Sequence, residues 1–195
     1  MSDTREYIID QAYGLFLSRS YEAVSISEIS KAIGFTKGAL YHHFTNKEDL
    51  FRAVIDKYLP IDDFFVPFKG NTLKEYIDEC VRISEKVINS IISGHNNFIP
   101  INYLALLIDA FRHYQKYANE KENLIRNEFE QIEAIIDRAI ANNEIRKDID
   151  AKSMALNFFS LKMGIAGNLL INNSPEKAIE ALRNQLYELY NLMKL

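Results

Sequence analysis

The stretch that decides the fold runs from residue 25 to residue 44 and reads SISEISKAIGFTKGALYHHF. Ser25 and Glu28 form a capping box at the start of one short helix, whose isoleucines recur at helical spacing. Gly34 is the residue expected just after that helix, because glycine adopts the left-handed conformation of a helix end without steric cost. Thr36 then caps a second short helix after a very short turn. Two short helices joined in this way predict a helix-turn-helix unit.

Helical patterns continue on both sides of this unit. Apolar spacing and capping residues predict about nine helices: four short ones within the first 59 residues, then longer ones at about 72–93, 101–117, 120–142, 151–171 and 175–194. With 7 glycines and 4 prolines among 195 residues, the chain has too few turn residues for a β-sandwich or a barrel. We therefore predict an all-α protein.

The composition excludes several classes of protein. A single cysteine, Cys80, cannot build a disulfide framework or a cysteine-rich metal site, and it fits a reducing compartment. The adjacent His42 and His43 point about 100° apart on a helix, so they do not form a metal site together. The first residues, MSDTREYIID, lack the apolar core of a signal peptide, and the most apolar segment, 155–171, is interrupted by polar residues. We expect a cytoplasmic protein without cofactor or metal.

Residues 25–47 carry a local net charge of +2, from Lys31, Lys37 and Lys47 against Glu28, although the chain as a whole carries a net charge of −4. The second helix of such a unit enters the DNA major groove with its N-terminal residues leading. Lys37 can reach a guanine edge or a phosphate, and Ala39 offers a methyl group that suits thymine. Gly38 has no side chain to hold the backbone away from DNA. Lys47, at the start of the next helix, is a natural phosphate anchor.

The pattern from Ser25 to Leu50 resembles the DNA-binding signature of the TetR family of bacterial transcriptional regulators. It fixes a capping box, a turn glycine and the ending HHFxxKExL at defined spacings, and it covers roughly the first 55 of 195 residues. The resemblance implies an all-α homodimer that represses transcription from a palindromic operator and is released when a small apolar or aromatic molecule binds its larger domain. By position, it assigns the recognition helix to Lys37, Gly38, Ala39, Tyr41 and His42, and phosphate contacts to Ser27, Thr36 and Lys47.

The chain is expected to divide near residue 60, where prolines and a glycine interrupt the helical pattern. Residues 1–47 form the predicted helix-turn-helix domain, 48–59 a linking helix, and 60–195 a ligand-binding and dimerisation domain. Candidate ligand contacts are aromatic, and the alternative for each is an ordinary core position: Phe98, Tyr103, Phe111, Tyr114, Phe158 and Phe159. Candidate dimer contacts are two small residues and the apolar stripe of the last helix: Gly164, Gly167, Ile179, Leu182, Leu186, Leu189 and Met193.

Three alternatives stay open at this point. The apolar stripe of the last helix also fits an intrachain core, because periodicity does not say whose surface it meets. The whole protein also fits a helical protein-interaction module without DNA binding, an alternative that the acidic residues of the first helix favour. An all-α enzyme is the third alternative, but no nucleophile–base pair or carboxylate–histidine cluster is visible in the sequence.

Overall fold

The structure, a computed structural model, describes residues 2–59, 67–93, 99–172 and 174–195. These residues form ten helices and no β-strand, which confirms the predicted all-α class. The helices are α1 (Ser2–Ser18), α2 (Ile26–Ile33), α3 (Lys37–His43), α4 (Lys47–Tyr58), α5 (Leu73–Ser93), α6 (Pro100–His113), α7 (Gln115–Ala141), α8 (Ala151–Met163), α9 (Ile165–Asn172) and α10 (Pro175–Met193).

Two helix boundaries differ from the sequence prediction. The helix predicted over 151–171 is divided at Gly164, where an added Cβ would lie 3.2 Å from the carbonyl oxygen of Leu161. The break predicted near residue 118 lies instead at Tyr114, between α6 and α7. The Tyr114 amide still donates to the carbonyl of Ala110 at 3.0 Å, and its carbonyl accepts from Ala118 at 3.0 Å. Because neither glycine nor proline marks this break, the local sequence carries no signal for it.

The helices pack into two compact units. The first comprises Met1–Ile61 and Ile101–Lys121, and the second comprises Asp62–Pro100 and Glu122–Leu195. The division predicted near residue 60 assigned α6 to the larger C-terminal region, whereas packing groups α6 with the helix-turn-helix. The first unit is therefore built from two separate pieces of the chain.

Aromatic side chains form much of the core of the first unit. The rings of Phe16 on α1 and Phe51 on α4 meet edge to face, with centroids 5.1 Å apart. Tyr13 stacks on Tyr58 at a centroid distance of 3.8 Å. Packing of this kind adds about 0.5–1.5 kcal/mol per pair to the gain from burial. The two aromatic pairs thus fix α4 against α1.

The second unit has an aliphatic core between α5, α7, α8 and α10. The stripe of α10 that was predicted for dimer contact lies mostly inside this core: Ile179, Leu182, Leu186 and Met193 are buried, and Leu189 is half-buried against it. The dimer assignment of the four buried residues is corrected here, because a side chain buried within its own chain offers no surface to a second copy. They belong to the intrachain core, the alternative that the sequence left open.

One ion pair lies inside this second unit. Lys162 on α8 pairs with Glu128 on α7, and the Lys162 ammonium lies 5.9 Å from the centroid of the Tyr76 ring. Burial lowers the pKa of the Lys162 side chain. Removing two charges from water is costly, so the pair persists only because each charge compensates the other.

Helices α8 and α9 present apolar side chains outward. Leu156, Met163, Leu170 and Ile171 are exposed, the last of them by 82%. By length and composition alone, Ala151–Asn172 could also cross a membrane. Its inner face contributes Ala155 and Phe158 to the core of the second unit.

Candidate nucleic-acid interface

The start of α2 has the predicted capping box. The Glu28 amide donates to the Ser25 hydroxyl at 3.2 Å, and the Ser25 amide donates to the Glu28 carboxylate at 2.9 Å. Arg19 donates to the same carboxylate at 2.7 Å. The Arg19 guanidinium, with the bonds from Ser25, lowers the pKa of Glu28 to about 2. These bonds join the end of α1 to the beginning of α2.

The turn between α2 and α3 is fixed by Gly34 and Ser30. Gly34 has φ 73°, the left-handed conformation that the sequence predicted. Ser30 is buried, and its hydroxyl donates to the carbonyl of Phe35. The Phe35 amide donates to the Ser30 carbonyl at 3.0 Å. Because both backbone groups of Phe35 are satisfied by one residue, the angle between the two helices has a defined geometry.

Helix α3 is capped by Thr36, whose hydroxyl oxygen accepts from the Ala39 amide at 3.2 Å. Leu40 and Phe44 are buried and anchor the helix to the domain. The remaining predicted recognition residues are all exposed: Lys37, Gly38, Ala39, Tyr41 and His42. Ser27 and Thr36, the predicted phosphate contacts, are exposed as well. One face of α3 therefore holds the helix in place, and the other is available to a partner.

Gly38 is not required by the protein's own packing. An added Cβ would meet only the Thr36 hydroxyl oxygen, at 3.9 Å, which is ordinary van der Waals contact. Its φ is not positive, so alanine would fit the backbone. Glycine lowers helix stability relative to alanine. The packing of the chain itself therefore does not account for glycine at this position.

Lys47 begins α4 and is held by the turn that precedes α2. Its ammonium donates to the carbonyl oxygen of Tyr21 at 3.0 Å and lies 4.0 Å from the centroid of the Tyr21 ring. An ammonium has three N–H donors, so two remain for other acceptors when one donates to the Tyr21 carbonyl. The side chain is half-buried, and its charged end is held in a defined place at the edge of the helix-turn-helix.

Sequence reasoning missed the residues that hold Tyr21. The Tyr21 amide donates to Asp109 on α6 at 2.7 Å, and the Tyr21 ring stacks on His113 with centroids 4.3 Å apart. We call Tyr21, Lys47, Asp109 and His113 the Tyr21 cluster. Its members lie up to 92 positions apart, so no local pattern could have connected them. The only signal was an acidic residue at a position where the apolar pattern of α6 expects a buried side chain.

Five of the six candidate ligand contacts lie in the described part of the chain, and they are distributed between the two units. Tyr103 and Tyr114 are buried in the first unit, and Phe111 is exposed there. In the second unit, Phe158 is a fully buried core residue and Phe159 packs against the same core. The core alternative therefore holds for Phe158. Phe98 lies outside the described residues. Within the described part of the chain, no group of three or more His, Cys, Asp or Glu side chains could hold a metal ion.

Comparison with known proteins matches the site and the fold. Residues 8–54 match the family model of the bacterial regulatory proteins, tetR family. The transposon Tn10 TetC protein of Escherichia coli is 29% identical over 83% of this chain and 79% of its own. The HTH-type transcriptional repressor ComR of E. coli is 46% identical over 28% of this chain and 26% of its own. The crystal structure of a TetR transcriptional regulator from Chloroflexus aurantiacus, at 24% identity, has a TM-score of 0.66 and covers 100% of this chain and 98% of its own.

The sequence match is strongest where the geometry is most specific. It spans the capping box, the Gly34 turn, α3 and most of α4. The structural likeness extends the shared fold to the whole chain. ComR is named as a transcriptional repressor, and AcrR of Shigella flexneri, 44% identical over 27% of this chain and 24% of its own, is named as a transcriptional regulator. Residues 8–54 thus match the DNA-binding region of the bacterial regulatory proteins of the tetR family, and the chain is a TetR-like helix-turn-helix regulator of transcription.

Proposed function

We propose that this regulator is a cytoplasmic homodimeric repressor that binds a palindromic operator through α3 of each copy and releases it on binding a small effector. The observation that carries the proposal is the outward face of α3. There, a lysine, a glycine and an alanine at the helix start are exposed, while Leu40 beneath them is buried. A helix presented in this way fits the width of the major groove.

The positions on α3 favour a division of roles. Lys37, the first residue of the helix, can read a guanine edge, since lysine pairs with its O6 and N7. Tyr41, 51% exposed one turn later, and the neighbouring His42 can donate to phosphates. Lys47, held at the start of α4, adds a phosphate contact. Because two copies would use the same residues, the operator should have two related half-sites.

The outward stripe of α8 and α9 supports the proposal of a homodimer. Leu156, Met163 and Leu170 recur every seven residues, so they follow one side of these helices, and all three are exposed. Gly167 lies between them, and an added Cβ there would meet nothing within 4 Å in its own chain. A glycine that the chain itself does not need allows a second helix to approach closely. This surface, with the exposed Gly164 next to Met163 in the chain, replaces the buried residues of α10 as the proposed dimer contact.

The proposed effector is a small apolar or aromatic molecule. Support comes from the aromatic groups on and beside α6, where Tyr103, Phe111 and Tyr114 lie in the unit that carries the helix-turn-helix. We assume two conformations of the protein, one that binds the operator and one that does not. A compound that binds the second conformation more tightly lowers operator affinity by the difference between its two binding free energies, commonly about 1–3 kcal/mol. Native mass spectrometry of the purified protein, followed by thermal-shift titration with the molecule it retains, tests this part.

Operator binding is tested with a duplex selected from a random library by the wild-type protein. Fluorescence anisotropy at several salt concentrations is measured for Lys37→Ala, Lys47→Ala and the control Lys116→Ala, whose lysine is exposed on α7. Lys37→Ala should weaken binding to the selected duplex by about 1–3 kcal/mol and leave nonspecific binding nearly unchanged. Lys47→Ala should weaken all duplexes alike and flatten the salt dependence. If no duplex is retained, or if both variants bind as the control does, the proposed docking is wrong.

A further inference from the structure

Tyr21 connects three parts of the first unit: the turn between α1 and α2, the start of α4, and the last turns of α6. Its backbone amide donates to Asp109, its ring lies against His113, and its carbonyl oxygen and ring both contact the Lys47 ammonium. Nothing else in the described structure is shown to hold the charged end of Lys47. The position of this lysine therefore depends on the position of Tyr21.

Asp109 is an unusual residue in this place. Only 7% of its surface is exposed, and it is one of three buried polar or charged residues in the described part of the chain, with Ser30 and Glu128. A buried carboxylate is costly unless hydrogen bonds compensate it. Asp109 accepts the Tyr21 amide at 2.7 Å. The carboxylate thus holds a turn 88 residues away in the sequence.

A second contact restrains the same turn from α6. His113 lies one helical turn after Asp109, and its Nε2 is 3.5 Å from the Glu22 carboxylate, next to Tyr21 in the chain. Its ring stacks on the Tyr21 ring, which also meets Phe51 of α4 at a centroid distance of 4.6 Å. Tyr21 is thereby fixed through its backbone and through its ring. A lysine that rests on a fixed carbonyl and a fixed ring loses less conformational freedom when it binds a phosphate.

We propose that Asp109 is a positioning residue for DNA binding: it fixes Tyr21, and Tyr21 orients the Lys47 ammonium toward a phosphate. The proposal rests on the proposed function, in which Lys47 contacts the operator backbone. Asp109 itself touches no DNA. It acts through the Tyr21 cluster on the single contact that Lys47 makes.

The test is a double-mutant cycle between Asp109 and Lys47, read out by anisotropy with the selected duplex over a range of salt concentrations. Asp109→Ala should weaken binding about tenfold and reduce the slope of log K against log salt by about 0.9, the loss of one phosphate contact. Lys47→Ala should give the same change of slope. Adding Asp109→Ala to Lys47→Ala should then have no further effect on affinity or slope. Asp109→Asn keeps an oxygen that accepts the Tyr21 amide, so it should recover most of the affinity.

A merely structural role of Asp109 would give a different result. Loss of fold stability lowers the active fraction but leaves the salt slope of the folded protein unchanged, and its effect adds to that of Lys47→Ala. A folded Asp109→Ala protein with the wild-type slope, or additive effects in the cycle, therefore overturns the proposal. If Asp109→Ala does not fold, Asp109→Leu replaces it in the cycle, because leucine fills the space of the carboxylate and cannot accept from the Tyr21 amide. The same two outcomes then decide.

Failure of the inference differs from failure of the proposed function. An unchanged salt slope in Lys47→Ala alone shows that Lys47 contacts no phosphate, and it refutes the proposed function at that residue together with the inference. A reduced slope in Lys47→Ala with a wild-type slope in Asp109→Ala refutes the inference and leaves the proposed function intact. Asp137→Ala, a change at an exposed aspartate of α7, serves as the control for loss of one negative charge.

Discussion

Replacement of Gly38 by alanine should change stability and DNA affinity in opposite directions. Gly38 is the second residue of α3, and its added Cβ would find its nearest neighbour at 3.9 Å, so the folded protein accommodates a methyl group without strain. Alanine also restricts the unfolded chain more than glycine does. The substitution should therefore raise the free energy of unfolding by about 0.4–1 kcal/mol.

The same methyl group projects from the exposed face of α3. If the backbone at residue 38 approaches DNA closely, the methyl group must push the helix away from the groove, and overpacking of this kind costs about 1–3 kcal/mol. At the lower end of this range the dissociation constant rises by about fivefold, and at 1.4 kcal/mol by tenfold. A more stable protein should thus bind its operator more weakly.

Gly14→Ala provides the matched control. Gly14 lies inside α1, is exposed, and would also accommodate a Cβ with nothing within 4 Å, but it is not among the predicted DNA contacts. Thermal unfolding followed by circular dichroism should show an increase in Tm of about 1–4 °C for either variant. Anisotropy should show weaker binding for Gly38→Ala alone. Wild-type affinity for Gly38→Ala would refute the claim that the glycine allows DNA to approach the α3 backbone closely. Reduced stability would refute the claim that the folded protein has room for a methyl group at residue 38.

Four further predictions follow from the other contacts. The pKa of Glu28 is lowered to about 2 in the folded protein from an ordinary 4.5. The stabilisation from ionised Glu28 is therefore complete above pH 4.5 and is lost as the pH falls toward 2. The Tm difference between wild type and Glu28→Gln in unfolding curves should shrink over that pH range. Gly34→Ala should cost about 1–2 kcal/mol in urea unfolding, because its φ of 73° is strained for alanine, and an unchanged midpoint would contradict the assigned turn. Glu128→Gln should lower the free energy of unfolding by about 3–5 kcal/mol, because it leaves the Lys162 charge uncompensated. The double change Glu128→Leu with Lys162→Met should leave the free energy of unfolding nearly unchanged or raise it. Equal losses of stability in the two proteins would show that the pair is not buried as described. Leu156→Glu with Leu170→Glu should yield monomers in light scattering, and a dimer of wild-type mass would place the dimer contact elsewhere.

Much of the helix-turn-helix could be predicted from the sequence because its structure is local. The capping box of Ser25 with Glu28 and the left-handed Gly34 depend on residues three to nine positions apart, and the structure confirms both. The break at Tyr114 has no such local cause. Likewise, the periodic face of α10 was correctly read as apolar, but only packing could show that Leu182 and Leu186 meet their own chain.

In the candidate site, too, local features could be predicted from the sequence and long-range contacts could not. The exposed row on α3 follows from helical geometry once Leu40 is recognised as the anchoring residue. The contact of Asp109 with Tyr21 could not be foreseen, because it depends on α6 packing with residues that precede it by 88 positions. The ligand contacts could not be predicted from the sequence, because an aromatic residue in a core and one in a binding site have the same sequence pattern. Phe158 is a fully buried core residue in the structure.

The discontinuous first unit has a practical consequence for protein engineering. A fragment that stops at residue 59 would contain every predicted operator contact but none of positions 109, 113 and 114, which support the turn after α1 and the side of α4. A chimera that joins residues 1–59 to the C-terminal domain of another regulator would have that regulator's residues at all three positions. Such a graft should be transplanted as two segments, the second carrying residues 101–121.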